Sequence, residues 1–74
     1  MNPIIMTFGE KINYYRKQKK MTQGDLGKAV GTSGDIIGKY EREEIKPSIE
    51  TAGRIADAIG VTLDYLVVKD GQYQ

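Results

Sequence analysis

Apolar residues recur at the spacing of an α-helix from the start of the chain. The first stretch contains three of them, spaced four and then three residues apart: Phe8, Ile12 and Tyr15. That spacing places them on one face of a helix. Thr7 is followed three residues later by Glu10, which matches a capping box, so we expect the helix to begin after Thr7 and to run to about residue 20.

Two shorter helices with weak intrinsic stability come next. The second helix is capped by Thr22 and stops at Gly31, because glycine adopts the left-handed conformation easily. The third opens at Thr32 or Ser33 and ends near residues 41–42. Their core-facing residues are Leu26 and Val30, then Ile37 and Tyr40, and their glycines are Gly24, Gly27, Gly34 and Gly38. Each interior glycine costs about 1 kcal/mol relative to alanine, so packing must hold both helices.

The second half of the chain predicts one strong helix and one short helix. After a charged loop closed by Pro47, Ser48 is the clearest N-cap, and Gly60 is the matching stop. Thr62 caps the last helix. The apolar residues of these two helices are Ile49, Ala52, Ile55, Ala56 and Ile59, then Leu63, Leu66 and Val67. No stretch alternates with a period of two, so we expect an all-α domain of five helices over residues 7–68.

The two ends of the chain are expected to lie outside this domain. We expect an N-terminal arm over residues 1–6 and a flexible tail over residues 69–74. The arm is apolar, because it contains Ile4, Ile5 and Met6, and it packs either on the core or on a partner subunit.

The composition excludes most catalytic chemistry. The 74 residues contain no histidine and no cysteine, which removes His-based acid–base catalysis, disulfides and the usual zinc and haem ligands. We therefore expect no enzyme, no metal, no cofactor and no small-molecule substrate. No run of about 20 apolar residues is present to span a membrane, so we expect a cytoplasmic protein.

The net charge of +1 hides an uneven distribution. Residues 1–40 contain seven basic and three acidic residues, a net charge of +4, whereas residues 41–74 contain four basic and seven acidic residues, a net charge of −3. This polarity would orient the protein on DNA, although random scatter in short segments gives similar values. Five of the basic residues fall on the first helix and its end: Lys11, Arg16, Lys17, Lys19 and Lys20.

The junction between the second and third helices points to a DNA-binding motif. Only Gly31, Thr32 and Ser33 separate the two helices, and glycine permits the sharp turn of a helix-turn-helix. Such a turn lets one helix lie across the DNA backbone while the N-terminal end of the next enters the major groove.

An ordered set of short motifs around this turn resembles the Cro/phage-repressor type of helix-turn-helix, also called lambda repressor-like or XRE type. The residues that carry the resemblance are Arg16, Met21–Gly27, Val30–Ser33, Ile37, Tyr40, Glu41, Lys46–Ser48, Ile55, Ala56 and Ile59–Leu66. The resemblance covers residues 8–67. It implies a five-helix domain that binds near-palindromic operator DNA as a homodimer, in a bacterial or phage-infected cell.

By position, the resemblance also implies roles for individual residues. Those that would contact bases are Ser33, Gly34, Asp35 and Lys39, and those that would contact phosphates are Thr22, Gln23, Thr32, Arg42 and Lys46. Arg16 and Glu41 match a buried ion pair between helices one and three. The side-chain chemistry is compatible, since lysine can donate to guanine and aspartate can accept from cytosine.

Plainer interpretations of these residues stay open. The polar side of the third helix can be an ordinary solvated face, and Thr32 can be an N-cap with no role in DNA binding. Arg42 and Lys46 can be generic surface charges. Arg16 and Glu41 can be two separate surface charges rather than a pair.

The chain departs from the family pattern at several positions. Gly27 stands where alanine usually lets helices two and three approach, and Glu43 stands where a glycine commonly ends helix three. The turn at Glu43 is therefore expected to be strained or differently shaped. Gly34 and Gly38 leave the recognition surface without two side chains, which favours phosphate contacts and DNA shape over base contacts. Glu43 and Glu44 would repel DNA unless they point away.

The last helix offers an apolar surface for a second copy of the chain. Val67 and Val68 are adjacent, so a single helix cannot easily bury both. The residues assigned to a dimer interface are Tyr65, Leu66, Val67 and Val68. The alternative is a capping helix whose apolar face covers only its own core.

Three functions fit these observations. The first is a stand-alone, sequence-specific transcriptional repressor, because 74 residues leave no room for a fused sensor domain. The second is an antitoxin that binds both DNA and a toxin, which ranks lower because the tail is so short. The third is a protein-interaction domain that has lost DNA binding, which the glycines of the recognition helix and the two acidic residues after it support.

Overall fold

The structure, a computed structural model, describes residues 6–68. Within these residues it contains five α-helices and no strand, as the sequence predicts. The helices are α1 (Phe8–Gln18), α2 (Gln23–Val30), α3 (Gly34–Glu41), α4 (Ile49–Ile59) and α5 (Leu63–Val67). Most of the expected arm, residues 1–5, and the expected tail, residues 69–74, lie outside the described residues.

Every helix begins after a hydroxyl side chain that accepts a hydrogen bond from the backbone of the first turn. These N-caps are Thr7, Thr22, Ser33, Ser48 and Thr62. The capping box predicted at α1 is present, and α2 has a second one between Thr22 and Asp25. The cap of α3 is Ser33, which settles the choice left open between Thr32 and Ser33.

Left-handed residues end α2 and α4 and lie in the turns that follow α1 and α3. Gly31 (φ 86°) ends α2 and Gly60 (φ 81°) ends α4, both as predicted. α1 stops at Gln18, earlier than expected, and Lys20 takes a left-handed φ of 60° in the turn that follows. The end of each helix is therefore set by residues within one turn of it.

Apolar side chains from all five helices meet in one core. Residues that are fully buried there are Ile12, Leu26, Ile37, Ile55, Ile59 and Leu66. Ile37 and Tyr40 form the inward face of α3, as the three-residue spacing predicts. α4 contributes the largest share, since Ala52 and Ala56 lie beside Ile55 and Ile59 on the same face. This core fixes the helices whose other faces carry the polar residues.

α2 and α3 approach each other through their backbones rather than through side chains. A Cβ atom on Gly27 would lie 2.5 Å from the carbonyl carbon of Ser33, and one on Gly34 would lie 2.9 Å from the amide nitrogen of Gly24. Real Cβ atoms do not come so near to other backbone atoms. The glycines that weaken these two helices therefore also allow them to make close contact.

Two side chains lie deeper than the sequence predicts. Lys11, placed among the basic residues of α1, is 0% exposed, and its Nζ donates to the carbonyl oxygens of Tyr65 (2.7 Å) and Val68 (2.9 Å) at the end of α5. Leu66, assigned to the dimer interface, is also 0% exposed and belongs to the core. That assignment is wrong for Leu66, because the helical turn that exposes its neighbours directs this side chain inward.

None of the helices in residues 6–68 has the length and apolar character needed to cross a bilayer.

Candidate nucleic-acid interface

The exposed side chains of α3 and of its N-cap are polar. Ser33, Asp35 and Lys39 are all exposed, whereas Ile37 and Tyr40 face the core. The Ser33 hydroxyl accepts the backbone N–H of Ile36 at 3.2 Å, and as a hydroxyl it can still donate to another group. Three of the four positions predicted to contact bases thus share one accessible surface.

Gly34, the fourth predicted base contact, is placed differently. Its Cβ position faces the backbone of Gly24 in α2, so a side chain there would run into α2 instead of projecting outward. The prediction that Gly34 simply leaves the surface bare needs correction for this reason. Gly34 belongs to the contact between α2 and α3 and can offer only backbone atoms to a ligand.

A buried carboxylate joins α1, α2 and α3. Glu41 accepts from Arg16 twice, Nε to Oε2 at 2.7 Å and Nη2 to Oε1 at 3.2 Å, and the two side chains are only 6% and 8% exposed. Oε1 also accepts from Asn13 and Gln23, each at 3.0 Å. The interpretation of Arg16 and Glu41 as separate surface charges is therefore wrong.

The ionised form of Glu41 is stabilised despite its burial. Burial raises the pKa of the Glu41 carboxyl, but hydrogen bonds from Arg16, Asn13 and Gln23 outweigh it, so the pKa lies below its ordinary value of 4.5. Arg16 has a further bond from Nη1 to the carbonyl oxygen of Met21 at 2.8 Å. Glu41 thus remains ionised at neutral pH, and it and Arg16 are hydrogen-bonded to each other and to neighbouring groups.

The Gln23 amide lies across α3 next to this carboxylate. Its Nε2 donates to Glu41, and both amide atoms would be 3.4 Å from a Cβ atom on Gly38. Nη1 of Arg42 would be 3.0 Å from the same Cβ atom. Gln23 and Arg42, both predicted to contact phosphates, are therefore neighbours over the backbone of one buried glycine.

The loop after α3 pairs each predicted phosphate-binding cation with a nearby acid. Nε of Arg42 lies 2.7 Å from Oε2 of Glu44, and Nζ of Lys46 lies 3.8 Å from Oε1 of Glu43. Glu43 has a φ of 64°, the left-handed conformation expected to strain a residue other than glycine. Its carboxylate accepts the N–H of Gly9 and so turns towards the start of α1.

The exposed Arg42–Glu44 pair shifts the titration of both of its members. The hydrogen bond to Glu44 raises the pKa of Arg42, and the same bond lowers the pKa of Glu44. Both groups keep their charges near neutral pH. Since the pair is largely solvated, its strength depends on the salt concentration.

The two threonines predicted to contact phosphates lie at either end of α2. The Thr22 hydroxyl accepts the N–H of Asp25 at 2.9 Å, and hydrogen bonds from Thr22, the backbone one first, lower the pKa of the Asp25 carboxyl. Thr32 donates its N–H to the carbonyl oxygen of Gly27 at 2.7 Å and is half-buried. Both precede α3 in sequence, Thr22 as the N-cap of α2 and Thr32 in the turn between the two helices.

A second surface of the molecule is apolar. Val67 and Val68 are 42% and 40% exposed, and the partly exposed Tyr65 places its hydroxyl 3.2 Å from that of Tyr15. The ring of Tyr14 packs edge-on against that of Tyr15, with centroids 4.9 Å apart. Without Leu66, the predicted dimer surface is thus Tyr65, Val67 and Val68.

Two polar contacts between helices were not anticipated from the pattern of residues. Asn13 donates to Glu41, and Lys11 ties α1 to the end of α5 with its Nζ 4.3 Å from the centre of the Tyr65 ring. A signal for Lys11 was present, because it lies three residues after Phe8 and four before Tyr15, on the inward face of α1. Among residues 6–68, no group of acidic side chains could hold a metal ion.

Comparison with known proteins identifies relatives of this arrangement. The Helix-turn-helix family model matches residues 12–66. The chain is 39% identical over 70 residues to repressor protein C2 of Salmonella phage P22, which covers 95% of this chain and 32% of the phage protein. It is 32% identical over 62 residues to the immunity repressor protein of Bacillus phage phi105, covering 84% of this chain and 43% of that protein.

A solved structure shares the fold closely. The crystal structure of the P22 c2 repressor in complex with a synthetic operator superposes with a TM-score of 0.82 at 37% identity, over 88% of this chain and 98% of that chain. The chain thus spans less than half the length of the two phage repressors but almost all of this solved domain. On the family match and these similarities, the chain belongs to the helix-turn-helix family, in which it resembles the phage repressors.

Proposed function

We propose that the chain is a sequence-specific, DNA-binding transcriptional regulator of the repressor type, which inserts α3 into the major groove of a near-palindromic operator as a homodimer. The observation that carries this proposal is the polar outward face of α3, which presents Ser33, Asp35 and Lys39 in a fold that superposes on an operator-bound repressor. Family membership supports a regulator rather than an enzyme. The cytoplasm is the compartment in which such a regulator acts.

Each polar residue of the surface has a proposed partner on DNA. Lys39 donates to guanine O6 or N7, Asp35 accepts from cytosine N4, and Ser33 does either. Phosphate oxygens are contacted by Thr22, Gln23, Thr32, Arg42 and Lys46. Because the phosphate-binding residues flank the face of α3 on both sides in sequence, they fix its register while the three base-contacting residues supply specificity.

The decisive measurement is binding to the DNA upstream of the chain's own gene at several salt concentrations. A repressor protects two half-sites about 34 Å apart, and its affinity falls steeply with salt as phosphates release counterions. The absence of any specific footprint, with binding to the product of a neighbouring gene instead, would favour an antitoxin or a protein-interaction domain.

Two lysine variants separate base contacts from phosphate contacts. Lys39→Ala is expected to cost about 1–3 kcal/mol on the preferred operator and to relax base preference at one position. Lys46→Ala is expected to weaken all sequences alike and to reduce the salt slope by about 1. Equal, sequence-independent losses for both variants would refute the roles proposed for them.

The homodimer is supported by the exposed apolar residues of α5. Tyr65, Val67 and Val68 lie at its end, and a second copy would cover them about a two-fold axis. Val67→Glu should shift the protein towards the monomer in sedimentation equilibrium without unfolding it. Ile49→Glu is the control, because Ile49 is 64% exposed at the start of α4, outside this surface. Dissociation by Ile49→Glu alone would place the interface elsewhere.

A further inference from the structure

Gln23 and Arg42, which the proposed function assigns to phosphate binding, lie against the same position on the recognition helix, here called the seat. The seat is the backbone at Gly38, which is buried although the same helix exposes its neighbour Lys39. A Cβ atom on Gly38 would lie 3.0 Å from Nη1 of Arg42 and 3.4 Å from Nε2 and Oε1 of Gln23. A side chain at position 38 would therefore press on Gln23 and Arg42, which would have to shift by a few tenths of an ångström.

A hydrogen bond to Glu41 also holds the Gln23 amide in this seat. Its Nε2 donates one hydrogen to Oε1 of Glu41 at 3.0 Å, and Glu41 is itself fixed by Arg16 and Asn13. An amide nitrogen carries two hydrogens, so one of them is left for another acceptor. The amide is confined between a buried carboxylate and a bare stretch of helix backbone.

We propose that Gly38 is a positioning residue for phosphate binding: the missing side chain lets Gln23 and Arg42 lie flat on α3, with their remaining donors directed at one DNA strand. The inference rests on the proposed function, because Gln23 and Arg42 are its phosphate-binding residues. It replaces the view that glycine in the recognition helix merely removes contacts. Gly38 lowers the stability of the helix while it shapes the surface that binds phosphate.

A helix-interior glycine elsewhere in the chain provides a matched control. Gly53 lies in α4, and a Cβ atom there would have no neighbour within 4 Å. Replacement by alanine offers the same gain in helix propensity at both positions, but only at Gly38 does the methyl group press on Gln23 and Arg42. Because both neighbours are ends of flexible side chains, they can give way without disturbing the backbone.

The test compares Gly38→Ala and Gly53→Ala in thermal melting and in DNA binding. Both variants should melt about 4–8 °C higher than the parent protein if each gains its full propensity. Gly38→Ala should nevertheless bind operator and non-operator DNA about fivefold more weakly, the worth of one hydrogen bond, while Gly53→Ala binds as the parent does. Opposite changes in stability and affinity are not expected from a residue whose role is only structural.

A double-mutant cycle identifies the side chain through which Gly38 acts. In a Gln23→Ala background, Gly38→Ala should cost clearly less affinity than it does alone, because part of what it displaces is already gone. Additive losses both in this background and in an Arg42→Ala background, or a Gly38→Ala variant that binds DNA as tightly as Gly53→Ala, would overturn the inference and leave the proposed function intact. Absence of DNA binding by the parent protein would overturn the proposed function, and the inference with it.

Discussion

The α2–α3 unit and α4 are packed against the rest of the molecule by different means. α2 and α3 touch through backbone at Gly27 and Gly34, and a buried polar cluster around Glu41 ties them to α1. α4 instead packs through a full row of apolar side chains, and its one interior glycine, Gly53, faces open space. The first arrangement depends on close approach and hydrogen bonds, whereas the second depends on burial of apolar area.

This difference separates positioning from stability. Backbone contact between α2 and α3 leaves their outward side chains uninvolved in packing, so polar residues are available for a ligand. Hydrogen bonds around Glu41 have directional geometry and fix the orientation of α3, but they contribute modest net stability. The buried isoleucines of α4 stabilise the fold by removing apolar surface from water, an interaction that has no preferred orientation. Variants in each region should therefore fail in different ways.

The largest effect is expected from breaking the polar cluster. Glu41→Ala leaves the guanidinium of Arg16 buried without its partner, which should cost about 3–5 kcal/mol and unfold much of the protein. Thermal melting followed by circular dichroism measures this loss. A melting curve close to that of the parent would show that the pair is not buried in solution.

A double variant distinguishes an unpaired charge from lost packing. Arg16→Met with Glu41→Leu removes both charges and keeps apolar volume, so most of the lost stability should return. Gln23 would still lack the Glu41 carboxylate that accepts its hydrogen bond, so DNA binding should stay weak in the refolded double variant. Recovery of both properties would mean that the cluster has no positioning role.

A comparable loss is expected in the apolar region. Ile55→Ala removes a fully buried side chain of α4 and should destabilise the protein by about 2–5 kcal/mol. In contrast to the polar variants, the protein that remains folded should bind DNA with the affinity of the parent. Chemical denaturation and DNA titration of the same sample measure both quantities, and a selective loss of affinity would contradict the division between the two regions.

A smaller effect compares glycines of the two regions. Gly27→Ala and Gly53→Ala gain the same helix propensity, but the new methyl group at position 27 meets the backbone of Ser33, which must move. Gly27→Ala should therefore be less stable than Gly53→Ala by about 1–3 kcal/mol. Equal unfolding free energies in urea would mean that α2 and α3 separate at little cost.

The smallest expected effect is the pH dependence of the polar cluster. The pKa of Glu41 lies below its ordinary value of 4.5 in the folded protein, so its contribution is complete above about pH 4.5 and is lost as the pH falls through the folded pKa. The unfolding free energy should fall on acidification, and Glu41→Gln should show a shallower fall from a lower starting value. Parallel pH profiles would assign the dependence to other carboxylates, such as Asp25, whose pKa is also lowered.

The order and starts of the helices, and the ends of α2 and α4, could be predicted because their signals are local. Thr7, Thr22, Ser48 and Thr62 cap the helices that follow them, and glycine ends α2 and α4 as expected. Such signals act within a turn of the helix end and require no knowledge of the rest of the fold. The inward face of α3 was equally accessible, since apolar spacing alone selects it.

The features that could not be predicted all depend on contacts between distant segments. The acceptors of Lys11 are carbonyl oxygens at the end of α5, which lie near α1 only after folding. Helix geometry alone suggests that position 34 faces outward. In the folded protein, however, the Cβ position of Gly34 faces the backbone of α2. The resemblance to repressors supplied the Arg16–Glu41 pair, whereas the bonds from Asn13 and Gln23 required the folded geometry.

Lys11 and Arg16 lie five positions apart on α1 and hold opposite parts of the molecule. Lys11 fastens the end of α5, which carries the apolar surface, and Arg16 fastens the end of α3, which carries the polar face. In the proposed dimer, α1 therefore links the surface that joins two copies to the helix that each copy places on DNA. The spacing of the two copies of α3 in that dimer would then depend on α1, the helix that joins both contacts.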